Sequence, residues 1–152
     1  MPSLIRAHAD LLPAIAVGGA LGSLARWGIA EALPHSGGDF PLATFVVNAT
    51  GAMLLGLLMA FVLGPWSHTR YVRPFLGVGV LGGYTTFSTY ELDTRGLLAA
   101  DAPATAAAYL LGTVVVGLVA VWVGVTAGRL TIAVATRRAR RRRGHEIAPQ
   151  ED

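Results

Sequence analysis

The chain has no cysteine and no lysine, and charge of either sign is scarce: of its 152 residues, 14% are charged and 53% are hydrophobic. Without cysteine there is no disulfide framework, no thiolate metal site and no cysteine nucleophile. The four histidines, His8, His35, His68 and His145, lie in tails or loops and build no metal-ligand spacing, and no serine, histidine and aspartate come together in a catalytic pattern, so the sequence offers no enzyme constellation. No long internal repeat is present. What the chain has instead is apolar length. Its mean hydropathy of +0.55 is far above that of a soluble domain, and such a chain must bury its apolar surface in lipid.

Three stretches are long enough to cross a bilayer core, which needs roughly 20 residues. They are Leu11 to Leu33, broken only by Ser23, Arg26 and Glu31; Leu42 to Leu63, with Asn48 as its one strongly polar residue; and Ala102 to Ala127, uncharged and ending just before Arg129. Pro74 to Ala100 differs, because its apolar half meets GGYTTFSTY and then Glu91, Asp93 and Arg95. Paired glycines and hydroxyl residues inside a span are tolerated where the freed backbone faces protein or a polar cavity, so this segment is predicted to be a helix broken near Gly82 to Thr86. The expected fold is an all-α membrane protein of four transmembrane helices, residues 1–135, followed by a disordered arginine-rich tail, 136–152. A cleavable signal peptide at the start is the rival reading, disfavoured by Arg26 between the apolar run and the apparent cleavage site.

All twelve basic residues are arginine, and seven lie at or beyond Arg129. With four spans, Arg6, Arg70, Arg73 and the arginine tail share one side, which the positive-inside rule assigns to the cytoplasm together with both termini. The Arg137 to Arg143 run reads as a topology determinant in contact with anionic lipid, and not as a nucleic-acid site.

Few polar residues sit within the spans, and lipid makes each of them costly. Asn48 must face protein or an aqueous path, because an unpartnered amide at mid-membrane costs several kcal/mol. Thr44 and Gly51 lie on the same helix face. Thr85, Thr86, Ser88 and Thr89 surround Phe87, with Tyr90 one turn on, and Tyr109 and Thr113 share a face of the last span. Aromatic ring edges carry positive charge, and neutral amide and hydroxyl donors can replace the hydration shell of a small anion without trapping it as a fixed cation would. Each of these groups also has a plain packing role open to it. Arg26 suits either an interfacial anchor or a vestibule that draws anions. The pairs Gly18/Gly22, Gly79/Gly83 and Gly124/Gly128 are spaced for close helix packing or dimerisation.

Taken together, GGALGSLARW (Gly18 to Trp27), FVVNATGAMLLG (Phe45 to Gly56) and GVGVLGGYTTFSTYELD (Gly77 to Asp93) resemble the three signature blocks of the Fluc (CrcB) fluoride channels, in family order and spacing. The resemblance implies a fluoride channel of the bacterial plasma membrane, made of two antiparallel four-helix subunits, that exports fluoride down its electrochemical gradient. It also implies a structural, untransported sodium ion held by backbone carbonyls of Gly82 and Thr85, and fluoride pores lined by Asn48, Phe87, Tyr90, Tyr109 and Thr113. Tyr90 stands where the family usually has phenylalanine, Gly117 where a pore-side serine is common, and Trp27 where tyrosine is usual. The strong arginine bias also departs from members that insert in both orientations, and it points to pairing with an oppositely oriented paralogue as the alternative to a homodimer. A small multidrug transporter would need a carboxylate in the middle of its first helix, where this chain has glycine and leucine; a non-conducting partner subunit is the other alternative.

Overall fold

The computed structural model describes residues 9–146, with side chains as far as Ala139. Among the described residues the secondary structure is entirely helical. Helix α1 spans Leu11–Ala32 and ends before Pro34, whose ring disfavours helical geometry in the residue preceding it. Helix α2 spans Leu42–Val62 and stops short of Gly64 and Pro65. The next run begins as a π-helix over Arg73–Leu81, continues as the short α3 (Gly82–Tyr84), opens at Thr85, and resumes as α4 over Ser88–Ala99. Asp101, with φ of 58°, makes the turn into α5 (Pro103–Glu146). Proline suits that first helical position because its missing N–H would have no partner there anyway.

Three helices, α1, α2 and α5, are long and apolar enough to cross a membrane, with mean hydropathies of 1.2, 2.1 and 2.3. On α5, Leu111, Leu118 and Trp122 are each 69% exposed, an outward apolar face suited to acyl chains. The apolar stretch ends near Ala127, but the α5 helix does not end with it. It continues to Glu146 and draws much of the expected unstructured tail into helix. Alanine and arginine are strong helix formers, and they dominate the stretch from Ala127 to Arg143, which has no proline.

Two seams of small residues hold the helices together. Along the first, α1 packs on the π-helix and α3. A Cβ on Gly22 would lie against the Val80 carbonyl, and one on Gly83 against the Gly19 carbonyl. Along the second, α2 packs on α5, where Cβ atoms on Gly56 and Gly124 would meet the carbonyls of Val121 and Met53. Backbones this close are possible only without side chains between them. The three glycine pairs that suggested either close packing or dimerisation are thus spent within one chain. A compact cluster of Tyr90, Leu97, Ala106 and Tyr109 joins α4 to α5.

Candidate functional site

The site grows from the opening in the third helical run. Thr85 is extended (φ −78°, ψ 157°), so the backbone beyond Tyr84 leaves the helix ladder. A continuous helix would give the Thr86 N–H to the Gly82 carbonyl; here it donates to Asn48 Oδ1 at 2.9 Å, while Asn48 Nδ2 donates to the Thr86 carbonyl at 2.9 Å. One side-chain amide from α2 thus replaces the peptide partner on both sides of a single residue. Thr89 N–H, which would otherwise reach the Thr85 carbonyl, donates to Thr86 Oγ1 at 3.1 Å, as at a helix cap. Both Gly82 and Thr85 therefore lose their helical donors.

Around this bridge α2 and the third run are fitted closely. A Cβ on Gly51 would collide with the Thr85 methyl and lie 3.3 Å from the Tyr84 ring. Thr85 Oγ1 donates to the Leu81 carbonyl at 2.8 Å. Thr50 Oγ1 donates to the Val46 carbonyl at 2.6 Å, which spends its hydrogen, so Tyr84 Oη is the donor in the 2.8 Å Tyr84–Thr50 contact.

Two clefts lie beside this bridge, one lined by Asn48 and the other by its partner Thr86. One, about 340 Å³, is lined by Asn48, Gly51, Gly82 and Thr85 among others. Neutral carbonyls that have lost their helical donors suit a hard monovalent cation, and Gly82 and Thr85, which line this cleft, carry two of them. The other cleft, about 290 Å³, is lined by Ser23, Arg26, Trp27, Thr44, Thr86 and Thr89 among others. Arg26 Nε is buried without a hydrogen-bond partner among the described residues.

Aromatic rings extend from the break toward the α1–α2 loop. Phe87, 77% exposed, lies 5.8 Å from Tyr90 between centroids; Tyr90 lies 5.3 Å from Tyr109, and Tyr109 meets Phe40 edge-on at 5.4 Å. Tyr90 is buried, and its hydroxyl donates to the Leu110 carbonyl at 3.0 Å. Tyr109 is fully buried and donates to Asp93 Oδ2 at 3.1 Å, the oxygen that also accepts from Thr44 Oγ1 at 2.7 Å. One turn on from Tyr109, the Thr113 hydroxyl is buried with no partner among the described residues. An orphan hydroxyl in a dry environment is costly and marks a place where a ligand or water would be welcome.

A family profile described as CrcB-like protein, Camphor Resistance (CrcB), matches residues 13–125. The chain belongs to the CrcB-like family. It is similar to "Fluoride-specific ion channel FluC 2" of Nocardia farcinica, 47% identical over 127 residues covering 84% of this chain and 91% of the relative. It is also similar to "Fluoride-specific ion channel FluC 3" of Streptomyces avermitilis, 45% identical over 90% of this chain and 67% of the relative, and to "Fluoride-specific ion channel FluC" of Paracoccus denitrificans, 44% identical over 76% and 91%. This CrcB-like chain is a multi-pass membrane protein.

Of the residues singled out in the CrcB-like sequence, Asn48 joins the break directly, and Phe87, Tyr90 and Tyr109 form one line of rings. Arg26 stands apart from that line, in the cleft with Thr44 and Thr86. Sequence reasoning gave Asp93 no role of its own, treating it as one of the charges after the apolar half and as the last residue of a signature block. Its role emerges once Thr44, 49 positions earlier, and Tyr109, 16 later, converge on the same oxygen. It also missed the Tyr84–Thr50 contact, for which spacing gives no signal.

Proposed function

We propose that this chain is a fluoride channel subunit, not an enzyme, and that it lets fluoride leave the cytoplasm down its electrochemical gradient. The observation that carries this reading is the Asn48 amide bound to the Thr86 backbone. An amide nitrogen has two hydrogens, and the Thr86 carbonyl takes one, leaving a neutral donor on a residue that lines a cleft. Neutral donors compensate a strongly hydrated anion without holding it as a cation would. The names of three relatives, all fluoride-specific ion channels, support the same substrate.

Within this reading Phe87 and Tyr90 offer ring edges to the anion, Thr113 continues the path as a hydroxyl donor, Tyr109 lines it with its own hydrogen held by Asp93, and Arg26 draws anions into the vestibule. The run from Arg73 to Ala99 serves as a fourth crossing, broken at Thr85 where its freed backbone meets protein. Two subunits pack antiparallel in the plasma membrane. Gly82 and Thr85 would hold a structural sodium ion through their carbonyls, and its charge would stabilise that dimer. The arginine bias favours an oppositely oriented paralogue as the second subunit, over a second copy of this chain.

Anion efflux from liposomes containing the purified protein tests the function. Fluoride is expected to leave rapidly while chloride is retained; a chloride leak of similar rate, or no fluoride flux with the paralogue present, overturns it. Active dimers formed by this chain expressed alone would overturn the paralogue pairing only.

A further inference from the structure

Helices α2 and α5 run side by side along their glycine seam, but α2 stops at Val62 while α5 continues. The α5 face from Arg129 to Ala133 therefore outruns its neighbour, and a cleft of about 480 Å³ opens there, lined by Met59, Leu63, Val125, Arg129 and Ile132 among others. Gly64 forms part of the same cleft and keeps it open: a Cβ there would stand 3.6 Å from the Ile132 side chain and 3.0 Å from the Ala60 carbonyl. The walls are mostly apolar, with a guanidinium at the rim.

That guanidinium has no acidic partner among the described residues. Asp10, near the start of α1, already accepts from Arg70 Nη2 at 2.9 Å and from Tyr71 Oη at 2.7 Å, a bond that raises the Tyr71 pKa. The sequence has no acidic residue between Asp101 and Glu146. This end of the molecule therefore carries Arg73, Arg129, Arg137 and Arg138 without an acidic partner in the described structure, and by the positive-inside rule it faces the cytoplasm. At a bilayer surface the anion beside an apolar cleft is a lipid phosphate, and a planar guanidinium suits phosphate well.

We propose that this cleft is a binding site for one anionic phospholipid, with an acyl chain against Met59, Leu63, Val125 and Ile132 and the headgroup phosphate on Arg129. Basic pockets between transmembrane helices on the cytoplasmic side recognise lipid headgroups by this combination of charge and apolar surface. The site is independent of the ion pathway, since none of these residues contributes to the break or the aromatic line.

Native mass spectrometry of the full-length protein in mild detergent, titrated with phosphatidylglycerol or phosphatidylcholine, tests the site. The wild type is expected to retain one phosphatidylglycerol per chain and to melt at a higher temperature with that lipid, but not with phosphatidylcholine or inorganic phosphate. Arg129→Gln should weaken retention about fivefold or more. Ala133→Leu, which narrows the cleft and keeps the charge, should also reduce retention. The tail variant Arg137→Gln/Arg138→Gln should leave it unchanged. Equal retention of the two lipids, the same stabilisation by inorganic phosphate, or loss in the tail variant but not in Arg129→Gln would overturn the proposal.

Discussion

The run from Arg73 to Ala99 and helix α5 use the same residue types, glycine, threonine and tyrosine, to opposite effect. On α5 the hydroxyls of Thr126, Thr131 and Thr136 turn back on the carbonyls four residues earlier, which uses their hydrogens within one helix. In the third run Thr86 gives both its N–H and its carbonyl to Asn48 on another helix. Threonine therefore does not make a site by being present in a span. It makes one where the backbone beside it has left the ladder and a neighbouring helix supplies the missing partner. Glycine divides in the same way, since Gly124 is pressed against the Met53 carbonyl while nothing lies within 4 Å of a Cβ on Gly117.

The largest expected effect of substitution lies at the bridge. Asn48→Ala strands two backbone groups of Thr86, each costing about 1–3 kcal/mol when buried without a partner. Fluoride efflux should fall by more than about tenfold, with a marked drop in melting temperature. Thr126→Val on α5 should change stability by no more than about 0.5 kcal/mol, as expected for a surface position without special partners. Similar losses from both substitutions would erase the contrast between the two regions.

A smaller effect is expected at the seams. Gly22→Ala forces a methyl group onto the Val80 carbonyl and should cost about 1–3 kcal/mol, as overpacking does, while Gly117→Ala should stay within about 0.5 kcal/mol. Thermal unfolding in detergent distinguishes them. Below the cost of Gly22→Ala comes that of Tyr90→Phe, which removes the bond to the Leu110 carbonyl and should cost about 0.5–1.5 kcal/mol. Its fluoride flux should stay within about tenfold of the wild type. A larger fall would give the Tyr90 hydroxyl a part in the anion path beyond its packing role.

The sequence made the helical segments legible because lipid penalises polar residues so heavily that the exceptions stand out. Asn48 stands out on that cost alone, and so does the run GGYTTFSTY, within which Thr85 has extended backbone. Asp93 escaped notice because a carboxylate near the end of a span looks like an interfacial charge until its partners on α2 and α5 are known. The length of α5 escaped for a different reason. Hydropathy marks where a helix leaves lipid, whereas helix propensity decides where it ends, and an alanine- and arginine-rich segment continues as helix after its hydropathy falls.

The two seams also constrain how the chain assembles. They interleave, with α1 joined to the π-helix and α3, and α2 to α5, so neither of the first two helices has its principal neighbour next to it in sequence. During synthesis α1 enters the bilayer about sixty residues before Gly79 and Gly83 exist, and α2 waits about as long for Gly124. Because contacts distant in sequence form slowly, the emerging chain is left with two unmatched glycine stripes. The first seam can close once the π-helix and α3 are made, whereas the second stays open until α5 arrives.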